Sequence, residues 1–320
     1  MYPGFRRAWQ RRLNAIMIAR QVNAALGPRQ PRERRVAVTT IPITADLPGR
    51  IDVDRWIYYC VDDFSVWPGL DGSVMDAMER KLVAHADAVV AVSQTLQDRL
   101  AAMGADSTLL THGIDLEHWT HPRPRKDPRK DPRKGSTDAP ANPGAMPAAP
   151  HWWSDLPRPI LLFWGVVDRR LDVDWCEVLA EHAGSLVLIG PQQSPSDLLA
   201  AIPNIRMPGP MPYATLPALA GASDVLVMPY ADMPVTRAIQ PLKFKEYMAT
   251  GKPVVVRDLP STRPWSDAAD VVADIGELVR ALDDRLAHGV PQSQHIARHR
   301  LEDESWSTKA ALLDRLLLAA

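Results

Sequence analysis

Residues Gln240–Val256 read QPLKFKEYMATGKPVVV. Pro241 suits the start of a helix, Gly251 suits its end, and a β-branched run follows at once. The stretch therefore predicts a short helix that leads directly into a strand. The run VLVMP, at residues 225–229, predicts another strand just before it. This strand–helix–strand order is typical of a parallel sheet.

The same alternation extends over most of the chain. Apolar runs at 35–41, 56–61 and 88–92 predict three strands in the first 120 residues, and further strands are predicted at 160–164, 186–189, 205–207, 225–228 and 253–256, with helices between them. The pattern predicts an α/β protein with two Rossmann-like, doubly wound domains and ligands at the carboxyl ends of strands or in the crevice between domains. The first domain looks shortened: either an opening strand and helix are missing, or the domain is reduced.

A tract rich in Pro, Lys and Arg marks the predicted boundary. Residues 121–150 read HPRPRKDPRKDPRKGSTDAPANPGAMPAAP and carry almost no large apolar side chain, so they cannot form a core. We predict a disordered linker at 121–157 between an acceptor-side domain at 1–120 and a ligand-binding domain at 158–290, followed by a helical segment at 291–320. A solvated linker is favoured over a site for an acidic surface or lipid.

Composition limits the possible functions. The chain has 320 residues, a net charge of −1 and two cysteines, Cys60 and Cys176, which we expect to be buried reduced thiols. The charge balance argues against a nucleic-acid partner. No apolar run reaches the roughly 18 residues of a membrane span, and the N-terminus has no secretory pattern, so the sequence predicts a cytoplasmic protein.

Lys243 and Glu246 stand three apart in the predicted helix and share a face. The helix N-terminus favours a diphosphate, Lys243 adds a cation, and Glu246 can accept hydrogen bonds from ribose hydroxyls. The alternative is an exposed ion pair worth about 0.5 kcal/mol or less. Spacing alone leaves both interpretations open.

Several stretches resemble one enzyme family. PLKFKEYMATGKPVV and NIRMPGPMPYATLPALAGASDVLVMPY are similar to the donor-binding domain of GT-B glycosyltransferases, particularly the bacterial retaining group ("glycosyl transferases group 1") that builds surface polysaccharides. In the first domain YYCVDD, ERKLVAHADAVVAVSQTLQDRLAAMG and THGIDLEHW resemble the same group. The resemblance implies two facing Rossmann-like domains and a hexosyltransferase that takes a nucleoside diphosphate sugar as its donor, with no cofactor.

The resemblance also implies roles for individual residues. Glu246 matches the family's ribose-binding acid and Lys243 a basic residue near the donor phosphates. The other residues expected to bind the donor are Gly165, Arg169, Arg170, Gly190 and Gly209; for the arginine pair a solvated turn is the alternative. Many relatives carry a second acid about eight positions before the one matched by Glu246, where this chain has Ala238. This departure weakens any assignment of a catalytic carboxylate there.

Three residues before the linker are candidates for the chemical step. Asp62 and Asp63 directly follow the predicted strand WIYYCV, and either carboxylate would suit a base for an acceptor hydroxyl, with Asp63 preferred. A turn or helix cap is the alternative. His112, in the turn THGID, is placed to approach the transferred sugar; a surface histidine is the alternative.

We predict no metal ion. The strings Asp52/Asp54 and Asp172/Asp174 resemble the metal-binding pairs of other sugar transferases, but the second pair precedes a predicted helix and suits its N-terminus. Arginine and lysine already supply the positive charge that a metal would provide.

The N-terminal stretch predicts a basic helix at 5–26, with Trp9 and Leu13 among its apolar residues and Arg12 and Arg20 among its cations. Such a helix suits peripheral contact with an anionic membrane at the inner face of the plasma membrane, where lipid-linked saccharide acceptors reside. An ordinary domain helix is the alternative.

Together with the resemblance, the sequence predicts a cytoplasmic, metal-independent glycosyltransferase of surface polysaccharide biosynthesis. A nucleotide-sugar epimerase of the same fold and a non-catalytic nucleotide-sugar-binding protein are the alternatives.

Overall fold

The computed structural model describes residues 4–120, 149–193 and 197–318. These residues form two compact units. The first unit comprises the chain up to His112, Arg237–Gln240 and the residues from Ser307. The second unit comprises Gly113–Thr236 and Pro241–Trp306. Each unit is built on a parallel sheet.

The first unit carries a four-stranded sheet in the order β1-β2-β3-β4, with every pair parallel. Its elements are α1 (Ala8–Leu26), β1 (Val36–Thr39), β2 (Arg55–Cys60), α2 (Gly72–Val83), β3 (Ala88–Ala91), α3 (Gln94–Ala102) and β4 (Thr108–Leu109). Side chains cap two of the helices, because Asp71 accepts from Val74 N and the Ser93 hydroxyl accepts from Leu96 N. The strands follow one another in one direction, as in half of a doubly wound sheet.

The second unit carries six parallel strands in the order β10-β9-β8-β5-β6-β7. Its elements are α4 (Leu116–Thr120), β5 (Ile160–Trp164), α5 (Val173–His182), β6 (Ser185–Ile189), α6 (Asp197–Ala201), β7 (Ile205–Gly209), α7 (Leu216–Ala222), β8 (Val225–Met228), α8 (Pro234–Ala238), α9 (Leu242–Ala249), β9 (Val254–Arg257), β10 (Asp270–Val272), α10 (Ile275–His288) and α11 (Gln292–Arg298). Helix α8 ends in the segment that clusters with the first unit. Strands β5, β6 and β8 are buried at every position, as expected for strands covered on both faces.

The last helix, α12 (Trp306–Leu318), belongs with the first unit from Ser307 onward. Its residues Leu313, Leu316 and Leu317 pack against the buried cluster of Ile57, Val90 and Leu110 on one face of the first sheet. The predicted segment at 291–320 is therefore divided between the two units, because these leucines cover a sheet made by the first part of the chain.

The predicted linker at 121–157 lies outside the described residues as far as 148. Its last residues form a short 3₁₀ helix, His151–Asp155, in which Trp153 is buried. Trp153 is thus a large apolar side chain of the kind that residues 121–150 almost lack. Across the described residues no helix is long and apolar enough to span a membrane.

A charged network ties α2 and α3 of the first unit together. Arg99 pairs with Glu79, with Asp76 at 3.1 Å and with Asp63 at 3.2 Å. Glu79 is fully buried and also accepts a hydrogen bond from the Tyr58 hydroxyl at 2.7 Å. Because a buried carboxylate without a partner is costly, Arg99 is a structural residue of this unit.

We predict that Arg99→Met lowers the free energy of unfolding by about 3 kcal/mol, because it leaves the buried Glu79 without its cation. Arg80→Met is the matched control. Arg80 also pairs with Asp76, at 2.8 Å, but on the exposed helix surface, where loss of a pair costs about 0.5 kcal/mol or less. Urea denaturation measures both variants. Equal losses would show that burial of the network contributes nothing.

Candidate functional site

The second sheet has a switch point between β5 and β8. The chain steps from β5 outward to β7 on one side and from β8 outward to β10 on the other, so the connections diverge between these neighbouring strands. Ligands of doubly wound sheets bind at the carboxyl ends of the strands beside such a point. Gly165 follows β5 there, and Tyr230 follows shortly after β8.

Lys243, in the first turn of α9, reaches the carboxyl end of β5. Its ammonium donates to the Tyr230 hydroxyl at 2.5 Å and lies 4.7 Å from the ring centroid of Phe163 and 4.9 Å from that of Tyr230. No carboxylate of the described residues lies within 4 Å of it. A lysine ammonium has three N–H donors, of which a described residue takes one. The group is therefore a partly buried cation with donors left for an anion.

The three predicted glycines at this edge differ in what a side chain at each position would contact. A Cβ on Gly165 would lie 2.2 Å from the Lys243 amine, so Gly165 makes room for this cation. A Cβ on Gly190 would lie 1.7 Å from the Gly165 carbonyl oxygen, which makes this glycine a packing requirement between neighbouring strand ends. Gly209 borders open space at φ 87°. The Gly165 and Gly190 N–H groups donate to the carbonyl oxygens of Ile189 and Gly209, so these N–H groups are engaged in the fold.

Glu246 is buried, one turn further along α9 from Lys243. One of its carboxylate oxygens accepts from the Trp164 indole N–H at 3.0 Å, and the other accepts from the Tyr213 hydroxyl at 2.9 Å. Burial raises the pKa of Glu246, while these two hydrogen bonds and the charge of Lys243 act in the opposite direction. The pair of Lys243 and Glu246 is therefore not the exposed ion pair of the alternative interpretation. The helix face that carries Glu246 packs into the unit.

An aromatic layer surrounds this carboxylate. Tyr213 stacks on His118 with ring centroids 4.3 Å apart and meets the edge of Trp119 at 5.7 Å. Trp119 in turn stacks on Trp164 at 5.2 Å. The layer joins α4, the end of β5 and the 3₁₀ turn Tyr213–Thr215, and it fixes the rings that hold Glu246.

The two predicted arginines differ in their surroundings. Arg170 is held by Asp168, whose carboxylate it contacts through Nε at 3.0 Å and through Nη2 at 2.9 Å. Arg169 is exposed, and within the described residues no carboxylate lies within 4 Å of its guanidinium. The free positive charge of this loop is therefore that of Arg169.

The predicted catalytic residues belong to the first unit. Asp63 is buried; it accepts from the Ser65 backbone at 3.0 Å and hydroxyl at 2.5 Å, and it pairs with Arg99. It thus makes the contacts of a turn residue. Asp62, the residue before Asp63, is half-buried. The backbone N–H of His112 donates to the Gln240 side chain at 3.2 Å. These residues lie in another compact unit from Lys243 and Glu246, and their part in a reaction stays a prediction.

Ala238, at the position where the resemblance leads us to expect an acid, is buried in the core of the first unit. It packs in a cluster with Val92 and Leu96, and its carbonyl oxygen accepts from the Ser93 hydroxyl at 2.6 Å. The departure from the family pattern is thus part of an apolar core, where an ionised side chain would be costly.

Three of the four aspartates in these pairs take part in ion pairs or a helix cap. Asp52 and Asp54 both contact Arg29, and Asp172 caps α5 and pairs with Arg257. Within the part of the chain that the structure describes, no three His, Cys, Asp or Glu side chains are grouped to hold a metal ion. Cys60 and Cys176 are both buried free thiols, as predicted.

A doubly wound sheet with this strand order defines a Rossmann-like domain, a class whose ligands bind at the switch point. Residues 159–288 match the family described as Glycosyl transferases group 1, so the resemblance is confirmed for this part of the chain. The putative teichuronic acid biosynthesis glycosyltransferase TuaH of Bacillus subtilis is 32% identical over 109 residues. The matched residues make up 32% of this chain and 28% of the length of that relative.

Solved structures confirm the fold over both units. Trehalose-6-phosphate synthase from E. coli, bound to UDP-2-fluoro glucose, has a TM-score of 0.67 at 14% identity, covering 99% of this chain and 80% of the other. HepE of Anabaena in complex with UDP-glucose also scores 0.67, at 12% identity, covering 96% and 82%. The predicted GT-B fold is therefore confirmed, and the four-stranded sheet is the smaller of the two.

Three aromatic residues of the site were not predicted. Tyr230 stands just after a strand at the switch point, so the rule that ligands bind at strand ends would have identified it. Trp164 is the last residue of β5, so the same rule would have identified it. Tyr213 gives no such signal, because only the tertiary structure brings it to Glu246, 33 residues further along the chain.

The raised pKa of Glu246 has a consequence for stability. In the native state the carboxyl group of Glu246 holds its proton more tightly than in the unfolded chain, where its ordinary pKa is 4.5. The wild-type protein should therefore lose stability relative to Glu246→Gln as the pH rises from about 4.5 through the folded pKa, with the loss complete above it. Urea unfolding from pH 4 to 8 measures the difference between the two proteins. Parallel pH profiles would contradict it.

Proposed function

We propose that this protein is a glycosyltransferase that moves a sugar from a nucleoside diphosphate sugar to an acceptor in surface polysaccharide biosynthesis. The observation that carries the proposal is the placement of Lys243 and Glu246 on one helix beside the switch point of a sheet whose residues match a glycosyltransferase family. Lys243 provides a cation for the diphosphate, and Glu246 provides acceptor oxygens for ribose hydroxyls.

The electrostatics support a reaction without a metal ion. When the glycosidic bond breaks, negative charge grows on the departing nucleoside diphosphate, and a fixed cation there lowers the barrier. Lys243 suits this task because its amine is bonded to the Tyr230 hydroxyl, Gly165 leaves room for it, and no carboxylate of the described residues lies within 4 Å of it. Arg169 supplies a second, exposed cation after β5.

The printed names of the relatives support the choice of substrates. Two of the similar structures hold UDP-glucose or a fluorinated analogue of it, and the relative from Bacillus subtilis is named for teichuronic acid biosynthesis. We propose a nucleoside diphosphate sugar as the donor and a saccharide or lipid-linked saccharide as the acceptor, with Asp62, Asp63 and His112 retained as candidates for the acceptor side.

We predict that Lys243→Met and Glu246→Ala each weaken donor binding at least tenfold, or about 1.4 kcal/mol, because one removes the phosphate cation and the other the ribose acceptor. Calorimetry with UDP-, GDP-, ADP- and dTDP-sugars identifies the donor and measures the change. Lys252→Met is the matched control, since Lys252 follows the other end of α9 and donates to the Ser223 carbonyl oxygen.

The outcomes separate the alternatives. If no sugar nucleotide binds the wild-type protein, the proposal is wrong. Conversion of the donor without any acceptor identifies an epimerase, and donor binding without turnover on a broad acceptor panel identifies a non-catalytic binding protein. Unchanged affinity in both variants removes Lys243 and Glu246 from the site.

We also propose that α1 contacts an anionic membrane. Trp9 is 51% exposed, and Leu13, Ile16 and Met17 are exposed along the same side of the helix. These positions recur with helical spacing, and Arg12 and Arg20 are exposed on the same helix. An exposed apolar stripe flanked by arginines favours the interface of a bilayer that carries negative charge. Such contact would bring the enzyme to lipid-linked acceptors at the inner face of the membrane.

For this surface we predict sedimentation of the protein with vesicles of phosphatidylcholine and phosphatidylglycerol, but not with phosphatidylcholine alone, and less sedimentation at high salt. Reversing Arg12 and Arg20 to glutamate should abolish it, at about 1 kcal/mol per arginine before repulsion is added. Arg280 and Arg315, both exposed, reversed together give the same net charge and should leave sedimentation unchanged. Equal loss in both double variants would indicate a nonspecific effect of net charge.

A further inference from the structure

We propose that Tyr230 is a positioning residue that orders the Lys243 ammonium before the donor binds. This role rests on the proposed function and deepens it, because it assigns the group that holds the phosphate-binding cation in place. Tyr230 acts through Lys243 and makes no contact of its own with the donor. Both residues belong to the second unit.

The backbone of Tyr230 is held by two other segments of this unit. It forms an antiparallel bridge with Leu171, in the loop after β5, and the N–H of Ala231 donates to the Arg170 carbonyl oxygen at 2.8 Å. Arg257, at the end of β9, donates through Nη1 to the Tyr230 carbonyl oxygen at 3.3 Å. The loops that follow β5 and β8 are therefore joined beside the switch point, and Tyr230 is the residue at which they meet.

The side chain of Tyr230 is fixed as firmly as its backbone. Tyr230 is only 2% exposed, and its ring meets that of Phe163 edge to face, with centroids 6.1 Å apart and an interplanar angle of 73°. A buried ring with this packing has one orientation. The Tyr230 hydroxyl is therefore an acceptor at a fixed place, 2.5 Å from the Lys243 amine.

Lys243 needs such a partner because a lysine side chain is long and flexible. It gives up much rotamer freedom when its ammonium is confined to one place. Here the Tyr230 hydroxyl confines it in the absence of the donor, so that donor binding does not have to bear this cost. A phenol hydroxyl is a neutral acceptor and leaves the positive charge available. Lys245 of the same helix shows the contrast, because its amine is paired with the Glu304 carboxylate.

The bond to Tyr230 also occupies one N–H of Lys243, which a phosphate oxygen could otherwise accept. These two effects of the hydroxyl have opposite signs. Because two of the three N–H donors of the ammonium remain, we expect the ordering effect to be the larger. Removal of the hydroxyl should therefore weaken donor binding, whereas competition between hydroxyl and phosphate predicts tighter binding.

The test measures the affinity of the full chain for UDP, GDP, ADP and dTDP by calorimetry. Tyr230→Phe keeps the ring and removes the hydroxyl, and it should weaken the best-bound nucleotide at least threefold. Tyr59→Phe is the matched control. Tyr59 is a half-buried tyrosine of the first unit whose hydroxyl donates to the Leu110 carbonyl oxygen at 2.9 Å, and this variant should bind like the wild type. Thermal unfolding checks that each variant is folded.

A double-mutant cycle shows whether Tyr230 acts through Lys243. In the Lys243→Met protein, Tyr230→Phe should change the affinity less than 1.5-fold, because no ammonium remains to be positioned. Displacement calorimetry measures these weaker affinities. A general effect on the fold, or a direct contact between the hydroxyl and the donor, would cost the same factor in both backgrounds.

The results distinguish failure of the positioning role from failure of the proposed function. If Lys243→Met weakens binding while Tyr230→Phe binds as well as the wild type or more tightly, the positioning role is wrong and the donor site stands. Equal losses from Tyr230→Phe in both backgrounds also overturn the positioning role. If Lys243→Met leaves the affinity unchanged, there is no phosphate-binding cation at this place for Tyr230 to order. If the wild type binds none of the four nucleotides, both proposals are wrong.

Discussion

The buried carboxylate of Glu246 is the group around which one end of the second sheet is organised. An ionised carboxylate removed from water is costly unless donors replace the lost hydration. Here the donors come from the end of β5, through the Trp164 indole, and from the turn after β7, through the Tyr213 hydroxyl. The charge therefore fixes two distant parts of the chain against α9. The aromatic layer follows from this constraint, because the rings that carry the donors must be packed to stay in place.

Helix α9 also carries two lysines, Lys243 and Lys245, whose surroundings differ. Lys243 is given one hydroxyl and two aromatic faces, which attract a cation without neutralising it. Lys245, two residues on, is buried and paired with Glu304, so its charge is used within the fold. Two lysines of one helix thus have opposite roles. The difference arises from the groups they meet, since their residue type and helix are the same.

The sequence predicted the alternation of strands and helices because the buried strands are continuous apolar runs, such as ILLFW at 160–164. It missed β4 and β10, which have two and three residues and therefore no periodicity to detect. It placed Lys243 and Glu246 on one helix at the edge of the sheet. It did not predict that Glu246 is buried, because the partners Trp164 and Tyr213 lie 82 and 33 residues away in the chain. Gly190 was expected to approach a ligand, and the structure gives it a packing contact with Gly165, which spacing cannot reveal.

Ala238 occupies the position at which the resemblance leads us to expect an acid. The short segment 237–240 clusters with the first unit, and Ala238 fills an apolar core there beside Ser93. A glutamate at this position would place an ionised group in an apolar cluster, so alanine suits the packing of the first unit. The contacts of Lys243 and Glu246 are made within the second unit by Tyr230, Trp164 and Tyr213. The proposed donor contacts therefore involve residues other than those that pack around Ala238, and the proposed transfer would have to proceed without a carboxylate at that position.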